Sequence, residues 1–473
     1  MRRAGLCVAT CAAFLSLLAG GANAAPFARS GLVRASHGDP FASCTADDVA
    51  GQPGANYPAT EVEPWVDVNP ANTANLAGIW QQDRWSDGGS RGLVAGVTFD
   101  GGATWKSIVI PKGSRCSGGI YDRTSDPWLS FGPDGDLYAI SLALSHDATV
   151  SAILVNRSVN GGLSWSDPKT LIHDTKADTF NDKQTITADP TNAEFVYAVW
   201  DRGRSGAAGS DVMFSRTTDG GLTWEIARAI YAPNTAESSV GNQIVVQPNG
   251  TLVDITEWST NAGDFVAVLQ STDRGVTWSA PKVVATQRAV NVREPDTNKL
   301  VRVGAELPEI GVDPTTGRLY AVWMDSRFSN GSIDEIAFSR STDGGLTWSA
   351  PIKVNKTPST ISLLKRQAFT PSVEVAANGT VAVTYYDFRK NTSASGVPTD
   401  YWLVHCHSGC TNRANWSETH VAGSFNVKRA PNARGYFLGD YEGLAAVGAG
   451  FRVFFAHPTS SDRANVYFAK VGP

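Results

Sequence analysis

The chain has 473 residues, of which 42% are hydrophobic, 18% charged and 10% aromatic, with 46 Gly, 24 Pro and 14 Trp. That is too apolar and too rich in Trp for a disordered chain, and beyond the N-terminus no run reaches the roughly 18 apolar residues of a spanning helix. A net charge of −5 gives no general electrostatic reason to bind nucleic acid or anionic lipid, so neither a nucleic-acid partner nor a membrane span is expected.

In chain order, residues 1–24 read as an export leader. Arg2 and Arg3 open it, an apolar run over residues 6–18 follows, and Ala22-Asn23-Ala24 forms an A-x-A cleavage site before Ala25. The expectation is a secreted protein, extracellular or periplasmic, cleaved after Ala24. Residues 25–60 then form an N-terminal arm ahead of a repetitive body over 61–473. Cys7 and Cys11 belong to the leader, which leaves Cys44, Cys116, Cys406 and Cys410. An even number in an oxidising compartment favours disulfides. Cys406 and Cys410 bracket a Gly-containing turn and should close locally, which leaves Cys44 to Cys116. A zinc site at Cys406, His407 and Cys410 lacks a fourth ligand at a suitable spacing, and no metal is expected.

From residue 61 the sequence repeats a short β run, a turn and a more apolar β run. Pro64-Trp-Val-Asp-Val68 with Leu76-Ala-Gly-Ile-Trp80 is the first pair, and Gly443-Leu-Ala-Ala-Val447 with Phe451-Arg-Val-Phe-Phe455 the seventh. Between the pairs lie five copies of S/T-x-D/N-x-G-x-S/T-W, starting at Thr98, Ser158, Thr217, Ser271 and Ser341 and ending at Trp105, Trp165, Trp224, Trp278 and Trp348. They recur at intervals of roughly 54 to 70 residues, and a degenerate sixth copy runs from His405 to Trp416. The residue types suit a tight turn between strands: Asp or Asn bonds turn N–H groups, Gly supplies positive φ, and Trp enters the apolar layer beside it. These residues are scaffold and are assigned no chemistry.

This pattern is the Asp-box, or bacterial neuraminidase repeat, and the chain resembles the sialidase-like β-propellers. The resemblance implies that the boxes join the third and fourth strands of each blade, on the face opposite the active site. Seven first-and-second strand pairs against six third-and-fourth pairs, with one last strand at 465–469, favour a single all-β propeller of seven four-stranded blades. Six blades, as in well-known sialidases, is the alternative. The seventh blade lacks its outer strand unless the arm supplies it.

On this architecture the first strands line the channel, and the residues that begin them converge: Glu63, Asp126, Asp182-Lys183, Asn242-Gln243, Glu309, Thr370 and Asp440-Tyr441. Several carboxylates around one Lys suit a polar sugar site, where neighbouring charges separate the pKa values of an acid and a base. The bland alternative is a hydrated channel whose carboxylates cap strand ends. An Asp followed within two residues by Arg recurs at Asp83-Arg84, Asp201-Arg202, Asp325-Ser-Arg327 and Asp387-Phe-Arg389. Its repetition points to an ion pair pinning the rim, yet Arg84, Arg327 and Arg389 could together grip a carboxylate bidentately. Lys183, His146, Glu257, Tyr436 and Tyr441 do not recur. Trp85 and Trp258 could stack on sugar rings.

The resemblance implies an exo-acting retaining glycosidase with a Tyr nucleophile, because a carboxylate nucleophile would be repelled by the carboxylate of sialic acid. On that basis Tyr441, with Tyr436 second, is the nucleophile, Glu309 or Glu257 its base and Asp126 the acid; Arg84, Arg327, Arg389, Asp182 and Lys183 bind substrate. Where the family carries Arg-Ile-Pro for its first triad Arg, this chain has Glu61-Val62-Glu63-Pro64-Trp65. The expected function is a secreted sialidase-like glycoside hydrolase of exo-α-sialidase type, acting without a cofactor on glycans with acidic terminal sugars. The alternatives are another carbohydrate-active propeller, hydrolase or uronate lyase, and a non-catalytic propeller that binds glycan or protein.

Overall fold

The computed structural model describes residues 25–204, 209–233 and 237–473; the leader read from residues 1–24 lies outside them. The described chain is all-β, its only helical elements being 3-10 turns of three or four residues. Antiparallel meanders follow one another along the sequence. The first runs Glu61–Val68, Leu76–Arg84, Ser90–Thr98 and Lys106–Val109, and the second Arg123–Phe131, Leu137–Leu144, Ser151–Ser158 and Lys169–Asp174. One bridge, Ser90 to Thr124, joins these two. The third begins at Thr179–Ala188, the fourth at Ser238–Val246, the fifth at Glu309–Val312 and the sixth at Ala368–Val375.

The last meander has three strands of its own, Gly443–Val447, Gly450–His457 and Asn465–Gly472. Its outer position is filled by the N-terminal arm: Ala28–Arg29 and Val33–Arg34 both pair antiparallel with Asn465–Gly472. Pairing there covers an edge whose N–H and C=O groups would otherwise be open. The arm is also stapled, since Cys44 bonds Cys116 across 72 residues of sequence, while Cys406 and Cys410 close the short loop expected of them.

Burial follows strand position. Leu76–Arg84 and Ser90–Thr98 are buried at every residue, because each second and third strand is covered on both faces by neighbouring sheets, whereas Lys106–Val109 at the edge is partly exposed. Continuous apolar runs such as Val196-Tyr-Ala-Val-Trp200 suit that two-sided burial. Each first strand packs beside the first strand of the next meander, and Gly443–Val447 of the last packs beside Glu61–Val68 of the first.

The repeated Trp-ended turns take the form their residues imply. In the first, Asp100 Oδ1 accepts from the N–H groups of Ala103 and Thr104 at 2.8 and 2.9 Å, and its Oδ2 accepts from Thr104 Oγ1 at 2.6 Å. Thr98 Oγ1 accepts from Gly102 N–H at 3.0 Å. Asp219, Asp273 and Asp343 bond Thr223, Thr277 and Thr347 alike, and these bonds hold each carboxyl down at about 2. The glycine two residues after the Asp or Asn of each turn is also a contact point. A Cβ on Gly102 would lie 2.1 Å from the Phe468 ring of the last meander, as one on Gly221 would lie 2.7 Å from Tyr138 of the meander before it.

Register fixes which end of each sheet carries these turns. Val68 pairs with Leu76 and Leu76 with Thr98, so the first turn sits at the Val68 end; Glu61 pairs with Gln82, at the other. The same holds in the second meander, where Phe131, Leu137 and Ser158 share one end and Arg123, Leu144 and Ser151 the other. The turns therefore lie on the face opposite Glu63, Asp126 and Asp182.

Candidate functional site

Five first strands carry the same device near their starts. Two residues stand opposite one at Glu63-Pro64, Asp126-Pro127, Lys183-Gln184, Gly241-Asn242 and Thr370-Pro371, and the leading residue of each bulge has positive φ: 53°, 49°, 51°, 77° and 50° respectively. Glycine is the residue that takes this conformation freely, and only Gly241 is one; Thr370, β-branched, is the most strained. Strain of this kind costs about 1–3 kcal/mol per site and persists where surrounding structure enforces it, commonly at functional sites. The bulges re-aim Glu63, Asp126 and Lys183 toward one another.

Lys183 is the centre of the cluster. Its Nζ lies 3.0 Å from Asp126 Oδ1, 2.7 Å from Asp440 Oδ2 and 3.7 Å from Glu63 Oε1. Arg302 Nη2 reaches the same Asp440 oxygen at 2.8 Å. Arg84, 2% exposed, donates from Nη1 to Gln81 Oε1 at 2.5 Å, and Gln81 in turn donates to Glu63. The guanidinium carbons of Arg84 and Arg302 stand 4.8 and 4.4 Å from the centre of the Phe437 ring. Arg302 comes from a strand pair absent from the repeat, Leu300–Arg302 running parallel to Tyr436–Phe437. Gly439 is needed where this segment crosses, since a Cβ there would lie 3.0 Å from the Glu63 Cα.

Charge separates the carboxyls into two kinds. Burial would raise Asp126, but Lys183 and Arg84 outweigh it and hold Asp126 below the usual carboxylate range; Arg302 and Lys183 do the same for Asp440. Burial, with the negative charge of Asp126 added, pushes Asp182 up to about 7 and Glu63 up to about 8. The ionised Asp126 is the charge that, after burial, raises Asp182 most, so the two carboxyls titrate as a pair. Burial works against the Lys183 ammonium, and the surrounding carboxylates more than reverse it. Near pH 7 the cations Lys183, Arg84 and Arg302 thus outnumber the ionised Asp126 and Asp440.

Beside this cluster lies a cleft of about 150 Å³ lined by Arg84, Arg302, Arg434, Asp126, Asp182 and His146. Arg434 donates to the Asp87 carbonyl at 3.0 Å, and His146 Nδ1 lies 3.0 Å from Asp122. Arg123, buried beneath, ties Asp87 and the Gly88 and Pro53 carbonyls together and places its guanidinium 4.3 Å from the Trp85 ring. Trp85 is fully buried, so it is packing rather than a sugar platform, and Trp258 donates to Glu237 at 3.1 Å.

Several expected partners are not brought together. Arg327 is held by Asp325 at 2.7 Å and by the Thr286 carbonyl, and Arg389 by Asp387 at 2.5 Å and Glu418 at 2.6 Å. Neither shares a partner with Arg84, so the arginine clamp of Arg84, Arg327 and Arg389 does not form; the rim ion pair read from the repeated Asp and Arg is what Arg327 and Arg389 make. Tyr441 donates its hydroxyl to the Pro127 carbonyl at 2.9 Å. Its ring meets Trp128 edge-on at 5.2 Å, and burial together with Glu63, Asp126 and Asp440 raises its pKa well above the phenol range. It makes no hydrogen bond to Glu309 or Glu257. Glu309 shares the channel lining with Tyr441 without bonding it, and burial pushes it up to about 8 against the opposing pull of Ser372 and the Val373 backbone. Glu257, also raised to about 8 by burial, faces Asp264 and Glu306. An activated phenol needs the opposite surroundings.

Arg302, Arg434 and Phe437 were missed by sequence reasoning, because they come from connections outside the repeat. The X-Pro steps at Glu63-Pro64, Asp126-Pro127 and Thr370-Pro371 share one offset and were the available signal for the bulges.

No family model matches the chain, and no curated protein matches it. Solved structures similar to it include a protein of unknown function from Dyadobacter fermentans, 13% identical over 89% of this chain and 98% of that one, with a TM-score of 0.47. A Hadza microbial sialidase is 14% identical over 85% and 75% of the two chains, with a TM-score of 0.48. The α-L-arabinofuranosidase Arb93A from Fusarium graminearum is 13% identical over 89% and 96%, with a TM-score of 0.46. Likeness this loose leaves the chemistry to be argued from the side chains themselves.

Proposed function

We propose that the meanders are the blades of a closed seven-bladed Asp-box propeller, and that the protein is an exported glycoside hydrolase acting on glycans with acidic terminal sugars. The observation that carries the reading is the placing of Asp182, raised to about 7, with Asp126, held below the usual carboxylate range, in a cleft that also presents Arg84, Arg302 and Arg434. Two adjacent carboxyls driven to different protonation states supply an acid and an anion at one place. Asp182 donates the proton to the departing glycosidic oxygen, and the arginines receive the sugar carboxylate. Sialic acid fits this chemistry, and so does a uronic acid. Water takes the role of nucleophile from Tyr441, whose hydroxyl is engaged and whose surroundings oppose its ionisation: the water oxygen bonds the anomeric carbon as the glycosidic bond breaks, and the water proton passes to the Asp126 carboxylate.

The test is release of 4-methylumbelliferone from its sialic acid and glucuronic acid conjugates by the wild type, Asp182→Asn and Asp126→Asn. Turnover of one conjugate, lost in both variants while the fold is kept, supports the reading; no turnover across a wide panel of aryl glycosides refutes it. A second reading is a non-catalytic glycan-binding propeller. It is favoured by how far the cluster satisfies itself: Lys183 is paired with Asp126 and Asp440, and the Tyr441 hydroxyl is bonded to Pro127. Binding of acidic oligosaccharides without turnover, weakened in Arg302→Gln, selects it.

A further inference from the structure

On the opposite face, a cleft of about 450 Å³ lies between the fifth and sixth meanders, lined by Asp313, Arg318, Tyr320 and Arg340 on one side and by Asn378 and the His407 to Cys410 loop on the other. Comparison with the other meanders shows what is different here. Where a second strand pairs with a third, Tyr138 stands opposite Arg157, Tyr197 opposite Arg216, Val253 opposite Gln270 and Tyr320 opposite Arg340. In the first three, this position reaches the following meander's Trp-ended turn. Tyr138 donates to the Gly220 carbonyl at 3.0 Å, Arg216 to that of Arg274, and Gln270 to that of Gly344. The meander after Arg340 has no such turn; the disulfide-closed Cys406 to Cys410 loop replaces it.

The acid partners are missing as well. Arg157 bonds Asp136 at 2.9 Å, and Arg216 bonds Glu225 at 2.9 Å. At the positions equivalent to Asp136 and Glu225, two residues before the paired Tyr and one after the turn's Trp, this meander carries Arg318 and Ser349. Among the described residues the Arg340 side chain has no hydrogen bond or ion pair, and its Nε is buried. Asp313, the one carboxylate lining the cleft, already accepts from the N–H groups of Thr315 and Thr316 at 2.9 and 3.0 Å and from Thr316 Oγ1 at 2.6 Å.

We propose that Arg318 and Arg340 form an oxyanion-binding site on the turn-bearing face, taking a sulfate, phosphate or carboxylate group where other meanders supply their own carboxylate and carbonyl. Two guanidinium groups flanking one cleft give the paired N–H donors that such groups accept bidentately. The site is separate from the cleft of Asp126 and Asp182 and stands or falls independently of the chemistry there.

The test is fluorine NMR of fluorophosphate with the full mature chain at constant ionic strength, competed with inorganic sulfate and, separately, with sodium glucuronate. Saturable line broadening is expected, and its loss to sulfate or to glucuronate identifies the preferred oxyanion. Arg340→Gln should weaken the apparent Kd about tenfold or more, and Arg115→Gln, an exposed arginine paired with Asp122 and lining neither cleft, should leave it unchanged. Arg318→Asp rebuilds the pair seen at Arg157 and Asp136; it should abolish binding while the melting temperature holds or rises, which shows that the loss is not unfolding. Broadening that keeps its wild-type amplitude in Arg318→Asp, that disappears in Arg115→Gln, or that is absent from the wild type overturns the proposal.

Discussion

Replacing Lys183 by Met tests the electrostatic core of the candidate site. The Lys183 side chain is 12% exposed and its ammonium lies within 3.7 Å of Asp126, Asp440 and Glu63. Methionine keeps most of the stem and removes the charge, which leaves Asp126 buried with no cation in direct contact and Asp440 with Arg302 alone. Removing one partner of a buried pair typically costs about 3–5 kcal/mol. With an unfolding entropy of roughly 2.1 cal/mol/K per residue over about 450 residues, that is a fall in melting temperature of about 4 °C. The sign of its pH dependence follows from the protonation states. In the variant, burial without the ammonium raises Asp126 above its unfolded value, so the penalty is absent at low pH, where the carboxyl is neutral in both states, and grows as pH rises through the new pKa. The gap between wild type and Lys183→Met should therefore be widest near pH 8 and narrow as pH falls toward 4, in scans at one heating rate. A gap under 1 °C at pH 8, or one of equal size at both pH values, would show that the charges are solvated and that the separation of Asp126 from Asp182 is wrong.

Four further outcomes are expected. Asp182 and Glu63, raised to about 7 and 8, contribute stability that is fully present below the ordinary carboxylate pKa of about 4 and is lost as pH rises to those values; turnover should fall as pH passes about 7, and thermal scans of Asp182→Asn should lose part of this decline. Asp343→Ala removes the bonds to Thr347 N and Oγ1 and should lower stability by about 1–2 kcal/mol in denaturant melts while leaving ligand affinity at the opposite cleft unchanged. Loss of the Cys44–Cys116 bond, spanning 72 residues, should cost about 4 kcal/mol, against about 2 for the Cys406–Cys410 bond spanning four, measured as midpoint shifts of the Cys→Ser pairs. Deleting residues 25–36 uncovers the edge of Asn465–Gly472, and size-exclusion chromatography should show association that the intact chain lacks.

The repeat was legible because its physics is local. An Asp that bonds N–H groups three and four residues on, a glycine at positive φ and a Trp beside them need only eight consecutive residues, so Thr98 to Trp105 could be read as a turn without knowing what surrounds it. Strand alternation and Cys parity are equally local or additive, and the arm's place on the last meander followed from counting strands. The positions that begin the first strands were legible for the same reason, which put Glu63, Asp126, Lys183 and Asp440 in one set.

What each of those side chains does was decided by contacts across long stretches of sequence. Arg327 and Arg389 were offered to a ligand by their residue type, yet Asp325, Asp387 and Glu418 reach them first. Tyr441 was offered as a nucleophile, but Pro127, more than 300 residues earlier, holds its hydroxyl, and the burial that raises its pKa exists only once Trp65 and Trp128 pack against it. Arg302 and Phe437 entered the site from connections that repeat nothing. A pattern in sequence fixes what a short segment can adopt on its own; charge state and reach depend on desolvation and neighbours, which come into being only when the sheets meet.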